Sequence, residues 1–307
     1  MRYRRAVAGG ALVTAAACVL AWALAYPASS LGPALVRAVA DAAAVVTVGL
    51  AAVPLLDGPR YRDELVRRAT APLVSASAVW LVAELIRLPL AGAEAAGTAV
   101  TDLGVGTAWE FTAHTAVGRA GLLTIAAAAV VCTAAALARR SGPVTVIVAG
   151  SAGIGVMGHP LTGHLSDSSF GGVAIAVHAL AAALWCGVLA ALVLTVDHRG
   201  QWARVLPRFS QLSLGCVAAL LAGGAGGGVV LMNSPTELLT TGYGRVLTAK
   251  LVLTAMLIVL AWRNREIWLP SARAHRTTAA VSRSRAYTEL ALMAAALAAA
   301  ATLSVTG

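Results

Sequence analysis

Residues 171–196 read GGVAIAVHALAAALWCGVLAALVLTV. No Asp, Glu, Lys or Arg interrupts this run. As a helix it is long enough to cross the roughly 30 Å hydrocarbon layer of a bilayer. Runs of the same kind recur along the chain, at 7–26, 34–56, 71–90, 113–138, 143–158, 209–232, 246–262 and 286–305. Composition agrees: 59% of the 307 residues are apolar and 12% are charged, where a soluble chain carries roughly 25% charged residues. The predicted fold is all-α, a polytopic membrane helix bundle of about nine transmembrane helices. It forms a single integral membrane domain over residues 1–307, with the lipid bilayer as its first partner. The fifth span is short and runs into a Gly/His/Pro segment, so tilting or shielding by neighbours is expected there. Met1-Arg2-Tyr3-Arg4-Arg5 and the apolar stretch after it resemble a secretory signal. The stretch is long and lacks a small-x-small cleavage site, so it is read as an uncleaved first span.

The net charge of +10 does not point to nucleic acid, because the charge sits in short segments between spans. With the N-terminus in the cytoplasm, 18 of the 23 basic residues fall on the cytoplasmic side. The other five, Arg37, Arg87, Arg119, Arg245 and Lys250, fall at outer helix ends. The positive-inside rule therefore predicts N-terminus in and C-terminus out, in the cell (inner or plasma) membrane. A short repeat is also visible. Thr115-Ala116-Val117-Gly118-Arg119 opens span four and Thr241-Gly242-Tyr243-Gly244-Arg245 opens span eight. Each follows two spans and an outer loop, so spans 2–4 and 6–8 read as a possible parallel repeat.

That sidedness sorts the histidines. His198 and His275 lie in cytoplasmic loops among arginines, whereas His114, His159, His164 and His178 all fall toward the outer side. His159 and His164 belong to Met157-Gly158-His159-Pro160-Leu161-Thr162-Gly163-His164, and His178 is about two turns into span six. An ionisable residue within a span is costly unless paired or facing a polar cavity. Imidazole and thioether suit copper, so His159, His164, His178, His114 and Met157 are the candidate metal ligands. The competing reading is that His178 only hydrogen-bonds a neighbouring helix. Trp185 shares a face with His178, and Cys186 lies near that face, about 12 Å deeper. Trp185, Cys186 and Glu84 are thus possible pathway residues, although a cysteine in such a helix is more often plain packing.

Three carboxylates enter the spans. Asp41 can pair with Arg37 one turn away, and Glu84 with Arg87 three residues on. Glu84 is a structural ion pair or a proton or metal site. Glu289 starts the last span and is expected to reach the cytoplasmic interface. The run Gly223-Gly224-Ala225-Gly226-Gly227-Gly228 reads as close helix packing or as backbone lining a cavity. No phosphate loop, Ser-His-Asp arrangement or H-E-x-x-H occurs, so no catalytic residue is assigned and an enzyme is not expected.

Several motifs now carry a resemblance. Gly158-His159-Pro160-Leu161-Thr162-Gly163-His164, then Val177-His178 through Leu184-Trp185-Cys186-Gly187, then Pro207-Arg208-Phe209-Ser210, then Leu238 to Leu251 with Thr241-Gly242-Tyr243-Gly244-Arg245 inside it, occur in this order. The set resembles the core of the copper resistance protein D (CopD) family. The likeness is good over roughly 155–305 and loose over the first four spans, which divides the chain into N-terminal helices at 1–140 and a family-like core at 143–307. Trp185-Cys186-Gly187-Val188 departs from the family's usual W-x-G-G. The resemblance implies a membrane protein of copper homeostasis, in transport or resistance, with copper ion as its metal and a periplasmic copper-binding protein as a possible partner. Two rivals stay open. One is a b-type haem protein with His114 and His178 as the axial pair. The other is a metal-free assembly factor for a respiratory oxidase, since actinobacterial-type segments of this kind occur fused to an oxidase assembly domain.

Overall fold

The computed structural model describes residues 2–26, 31–138, 141–162, 169–228 and 237–306. Twelve α-helices account for nearly all of it, and no strand occurs among the described residues. They are α1 (Arg2–Ala25), α2 (Leu31–Ala52), α3 (Pro59–Ala96), α4 (Val105–His114), α5 (Ala116–Leu137) and α6 (Gly142–Gly158). Then follow α7 (Ser169–Thr195), α8 (Arg199–Gly228), α9 (Glu237–Thr240), α10 (Gly242–Arg263), α11 (Leu269–Arg273) and α12 (Ala279–Thr306). One π-helical turn, Asn264–Trp268, joins α10 to α11. Among the described residues, eight helices are long and apolar enough to cross a membrane. The ninth expected span is α6, whose 17 residues reach only about 25 Å. The chain is thus a polytopic helical bundle, with its short fifth span as expected.

Two spans start at least ten residues before their apolar runs. α3 starts at Pro59 instead of near 71, and α8 at Arg199 instead of near 209. Apolar patterning reports only the stretch that must avoid water. Beyond it, α3 continues on a proline at its first position, after extended Gly58, and on the Glu64–Arg68 pair at 2.7 Å. These are ordinary helix-start and i,i+4 signals. The short helix α4 was not expected. Most of it lies before the fourth apolar run, and it packs on α3 and α5.

The repeated T-x-x-G-R motif is one local structure used twice. Thr115 Oγ1 accepts from the Gly118 N–H, and Thr241 Oγ1 accepts from the Gly244 N–H, each at 2.9 Å. Both threonines are N-caps with extended backbone, at φ −95° and −96°. In each case the arginine donates back to the short helix just before: Arg119 to the Ala113 and His114 carbonyls, Arg245 to that of Thr240. Capping answers the orphan N–H groups, and the guanidinium answers orphan carbonyls.

The opposite end of the bundle shows reciprocity as well. Arg68 of α3 donates to the Thr195 carbonyl at the end of α7 and to Asp197 at 2.9 Å. Arg204 of α8 grips Asp57, just after α2, through two bonds of 3.2 and 3.1 Å, while Arg208 donates to the Leu56 carbonyl. Each half's second helix thus clasps the end of the other half's first helix. Between the clasps, α2 and α7 cross at Gly49 and Gly187. A Cβ on either glycine would collide with the other helix's backbone, so only small residues permit this approach. These exchanged contacts are what a parallel repeat of α2–α3–α5 and α7–α8–α10 produces. Successive spans run in alternate directions. One end therefore gathers the starts of α2, α7 and α10 with the finishes of α3, α6 and α8. His159 lies at that end and the Asp57 clasp at the other.

Candidate functional site

The short helix α6 presents one small face, Ala152, Gly155 and Gly158, all buried. A Cβ at Gly155 would strike the Trp80 ring of α3 at 2.5 Å and Ala127 of α5 at 2.9 Å. One at Gly158 would meet Thr124 Oγ1 at 2.9 Å. Thr124 in turn donates to the Gly155 carbonyl at 3.3 Å, as well as to its own helix. This close seating carries the next residue, His159, to Glu84. Their Nε2 and Oε2 atoms are 3.1 Å apart, and the second carboxylate oxygen accepts from Arg87 at 3.3 Å. Glu84 is only 2% exposed, so both partners are needed to offset the cost of burying its charge. On the adjoining α2, Arg37 and Asp41 approach to 3.8 Å, and Arg37 is near enough to feel the charges of Glu84 and Arg87. Two acids, two arginines and one imidazole therefore form this cluster, and their formal charges cancel while the imidazole is neutral.

His178 is held differently. Its Nδ1 lies 3.2 Å from the Leu220 carbonyl of α8. A carbonyl can only accept, so Nδ1 carries the hydrogen, and the neutral ring keeps its lone pair on Nε2. The first glycines of the run explain the reach. A Cβ on Gly223 would sit 2.9 Å from the Ala174 carbonyl and 3.2 Å from the Cβ of His178. The run is close packing there, as one of its two readings required. Lys250 of α10 is close enough to interact with His178 electrostatically. A bound cation at this imidazole would face that charge.

The remaining candidates separate. His114 ends α4, with its side chain 67% exposed and its Nε2 3.9 Å from Glu110. Met157 precedes His159 by two residues and lies about 200° around the helix from it. His164 lies outside the described residues. His114 and His178, the pair considered for haem, occur on helices that pack mainly on different neighbours: α4 on α3 and α5, and α7 chiefly on α2 and α8. Trp185 and His178 are on one face of α7 but meet different helices, since Trp185 Nε1 donates to Glu289 of α12 at 3.1 Å. Cys186 is buried, and Glu289 and Cys216 are near it. Among the described residues, no three His, Cys, Asp or Glu side chains converge as ligands of one metal.

One expectation is overturned. Glu289 does not reach an interface: it is 2% exposed, with its second oxygen accepting from Asn264 at 2.7 Å. Arginines just before it in sequence suggested the membrane surface, but α12 turns this residue inward against α7 and the π-helical turn. Asn264 went unread because it closes an apolar run and looks like a loop residue. Its functional signal, the π turn, appears only in three dimensions.

Comparison with known families adds to this geometry. The family model described as copper resistance protein D-like, N-terminal domain, matches residues 28–169, and that described as copper resistance protein D matches residues 203–303. The first includes Glu84 and His159, the second Asn264 and Glu289, and α7 with His178 falls largely between them. No curated protein and no solved structure matches the chain. Two matches in chain order, spanning most of a polytopic helical bundle, place this membrane protein in the copper resistance protein D family.

Proposed function

We propose that the protein transports copper ion as its cargo, taking it up at the His159 end and passing it into the bundle through His178. The observation that carries this reading is the commitment of His178 Nδ1 to the Leu220 carbonyl. Metal-binding imidazoles are typically oriented in this way by a second acceptor, and the opposite nitrogen then ligates. His159 supports it, because the Glu84 carboxylate at its Nε2 is a common outer partner of a ligating histidine. A ligand bond from that ring would come from Nδ1. His164, which lies outside the described residues, and His114 and Met157 are further capture candidates in this reading, and Trp185 and Cys186 lie on the way inward. The arginine bias supports placing the His159 end outside the plasma membrane, where a periplasmic copper-binding protein could deliver the ion. The test is His178→Ala. Copper-dependent growth or uptake is expected to be lost, and copper retained by the purified protein to fall at least about tenfold. Unchanged uptake together with unchanged copper content would sink the reading.

A further inference from the structure

Among the described residues, no cation is paired with the buried carboxylate of Glu289. Oε1 accepts from the Trp185 indole at 3.1 Å and Oε2 from the Asn264 amide at 2.7 Å. Both donors are neutral. Isolated buried carboxylates are expensive, and an acid in that position commonly exchanges its charge for a proton. The surroundings suit both forms. With Glu289 ionised, Asn264 donates its N–H. With Glu289 protonated, a half-turn of the Asn264 amide presents its carbonyl oxygen to the new O–H, since an amide offers a donor and an acceptor on the same carbon.

A route for the proton lies beside it. Glu289, Asn264, Ser210, Ser213 and Arg265 help line a small cavity with about 20 Å³ open to the centre of a water molecule. That is room for about one water, with polar partners around it. The charged and titratable groups facing Glu289 are few. Arg265 lines the same cavity, but its guanidinium donates to the carbonyl and hydroxyl of Ser210, at 3.3 and 3.1 Å. Cys186 of α7 is close enough to interact with it electrostatically, with Cys216 of α8 next to Cys186. Asn264 itself opens the one π-helical turn of the described chain; such turns break the regular ladder and recur at functional sites.

We propose that Glu289 is a proton-binding site, loaded and unloaded through the one-water cavity by the paired movement of the Asn264 amide. In loading, a proton leaves hydronium in the cavity and bonds to Oε2, and water remains. This deepens the copper reading by supplying the ion that exchanges against the cargo, and it rests on that reading only for the second measurement below.

The first measurement needs no copper. Infrared difference spectra of the full chain in lipid vesicles are recorded as the pH is stepped. A carbonyl-stretch band of a buried carboxylic acid is expected to appear as pH falls, to be absent in Glu289→Gln and to persist in Glu84→Gln. Trp185→Phe keeps an aromatic side chain, though a smaller one, and removes one donor to the anion. It is expected to raise the ratio of acid to carboxylate at a given pH about tenfold. This variant keeps the test decisive should Glu289→Gln fail to fold. No pH-dependent acid band in the wild type, or a band unchanged in both variants, would overturn the proposal. In the second measurement, copper is added to wild-type vesicles with a pH dye inside. Proton movement that vanishes in Glu289→Gln supports coupling. Copper uptake without proton movement overturns coupling while leaving both the copper reading and the titrating site intact. Loss of copper uptake in wild type, with the acid band retained, overturns the copper reading alone.

Discussion

Glu84 and Glu289 are both 2% exposed in the same bundle, yet they are built for different tasks. Glu84 accepts from Arg87 and meets the His159 ring, so an arginine balances its charge at the His159 end. Among the described residues, Glu289 meets only the neutral donors of Trp185 and Asn264. Burial is equal, so the partners decide what each can do. A carboxylate with an arginine on it stays ionised and serves as a fixed support, here for an imidazole. One without a cation has two accessible forms, and its neutral donors can follow it between them. The contrast sets the end proposed to capture copper apart from the proposed proton site, which lies nearer the other end of the bundle.

The largest expected effect breaks the first member of the pair. Glu84→Ala leaves Arg87 buried without its anion and removes the support of His159. A broken buried ion pair costs about 3–5 kcal/mol, so the purified variant should unfold at markedly lower denaturant concentration. A loss below about 1 kcal/mol would mean that water already solvates this end and that Glu84 is not a fixed support.

An intermediate case lies at the opposite end. Asp57 is also 2% exposed, but its arginine, Arg204, has a side chain 36% exposed and lies over the Tyr61 ring at 4.0 Å. Asp57 also accepts from the Gly58 N–H. Asp57→Ala then frees an arginine that water can reach. The expected cost is about 1.5–3 kcal/mol, the value of hydrogen bonds to a charged group. It should be read by the same denaturation, and it should fall between Glu84→Ala and the mildest change below. A cost equal to that of Glu84→Ala would show that the clasp is sealed from solvent.

How much of this was legible follows from what each contact depends on. Spans, their order and the Glu84–Arg87 and Arg37–Asp41 pairs depend on spacing within one helix, and spacing is written in the chain. The paired caps at Thr115 and Thr241 were visible as a repeated motif, although their bonds were not. The Glu84–His159 contact depends on Gly155 and Gly158 letting α6 seat against α3 and α5, which no single run reveals. Glu289 was misplaced for a related reason. Its neighbours in sequence, Arg283 and Arg285, lie half-buried in the first turns of α12, and the residues that bury it come from α7 and from the π turn more than 20 positions away. Neutral partners such as Trp185 and Asn264 leave no charge pattern to find. His178 was legible as an ionisable residue in a span, but the acceptor that fixes its ring is a backbone carbonyl, which carries no residue signature.

The smallest effect tests the second member of the pair. Glu289→Gln keeps the size of the side chain. Its amide oxygen can still accept from Trp185, and its amide N–H₂ can donate to Asn264 once that amide turns its oxygen inward. Both contacts survive in this arrangement, and an uncompensated charge is removed. The expected change in stability is therefore within about 1 kcal/mol, against the several kcal/mol of Glu84→Ala. Calorimetry or denaturation of the two variants side by side reads the difference. If Glu289→Gln destabilises as strongly as Glu84→Ala, Glu289 is a structural anion whose charge the fold requires. If it is nearly neutral, the buried acid contributes little to holding the helices together, and its retention in an apolar helix calls for a role in which the proton itself is the ligand.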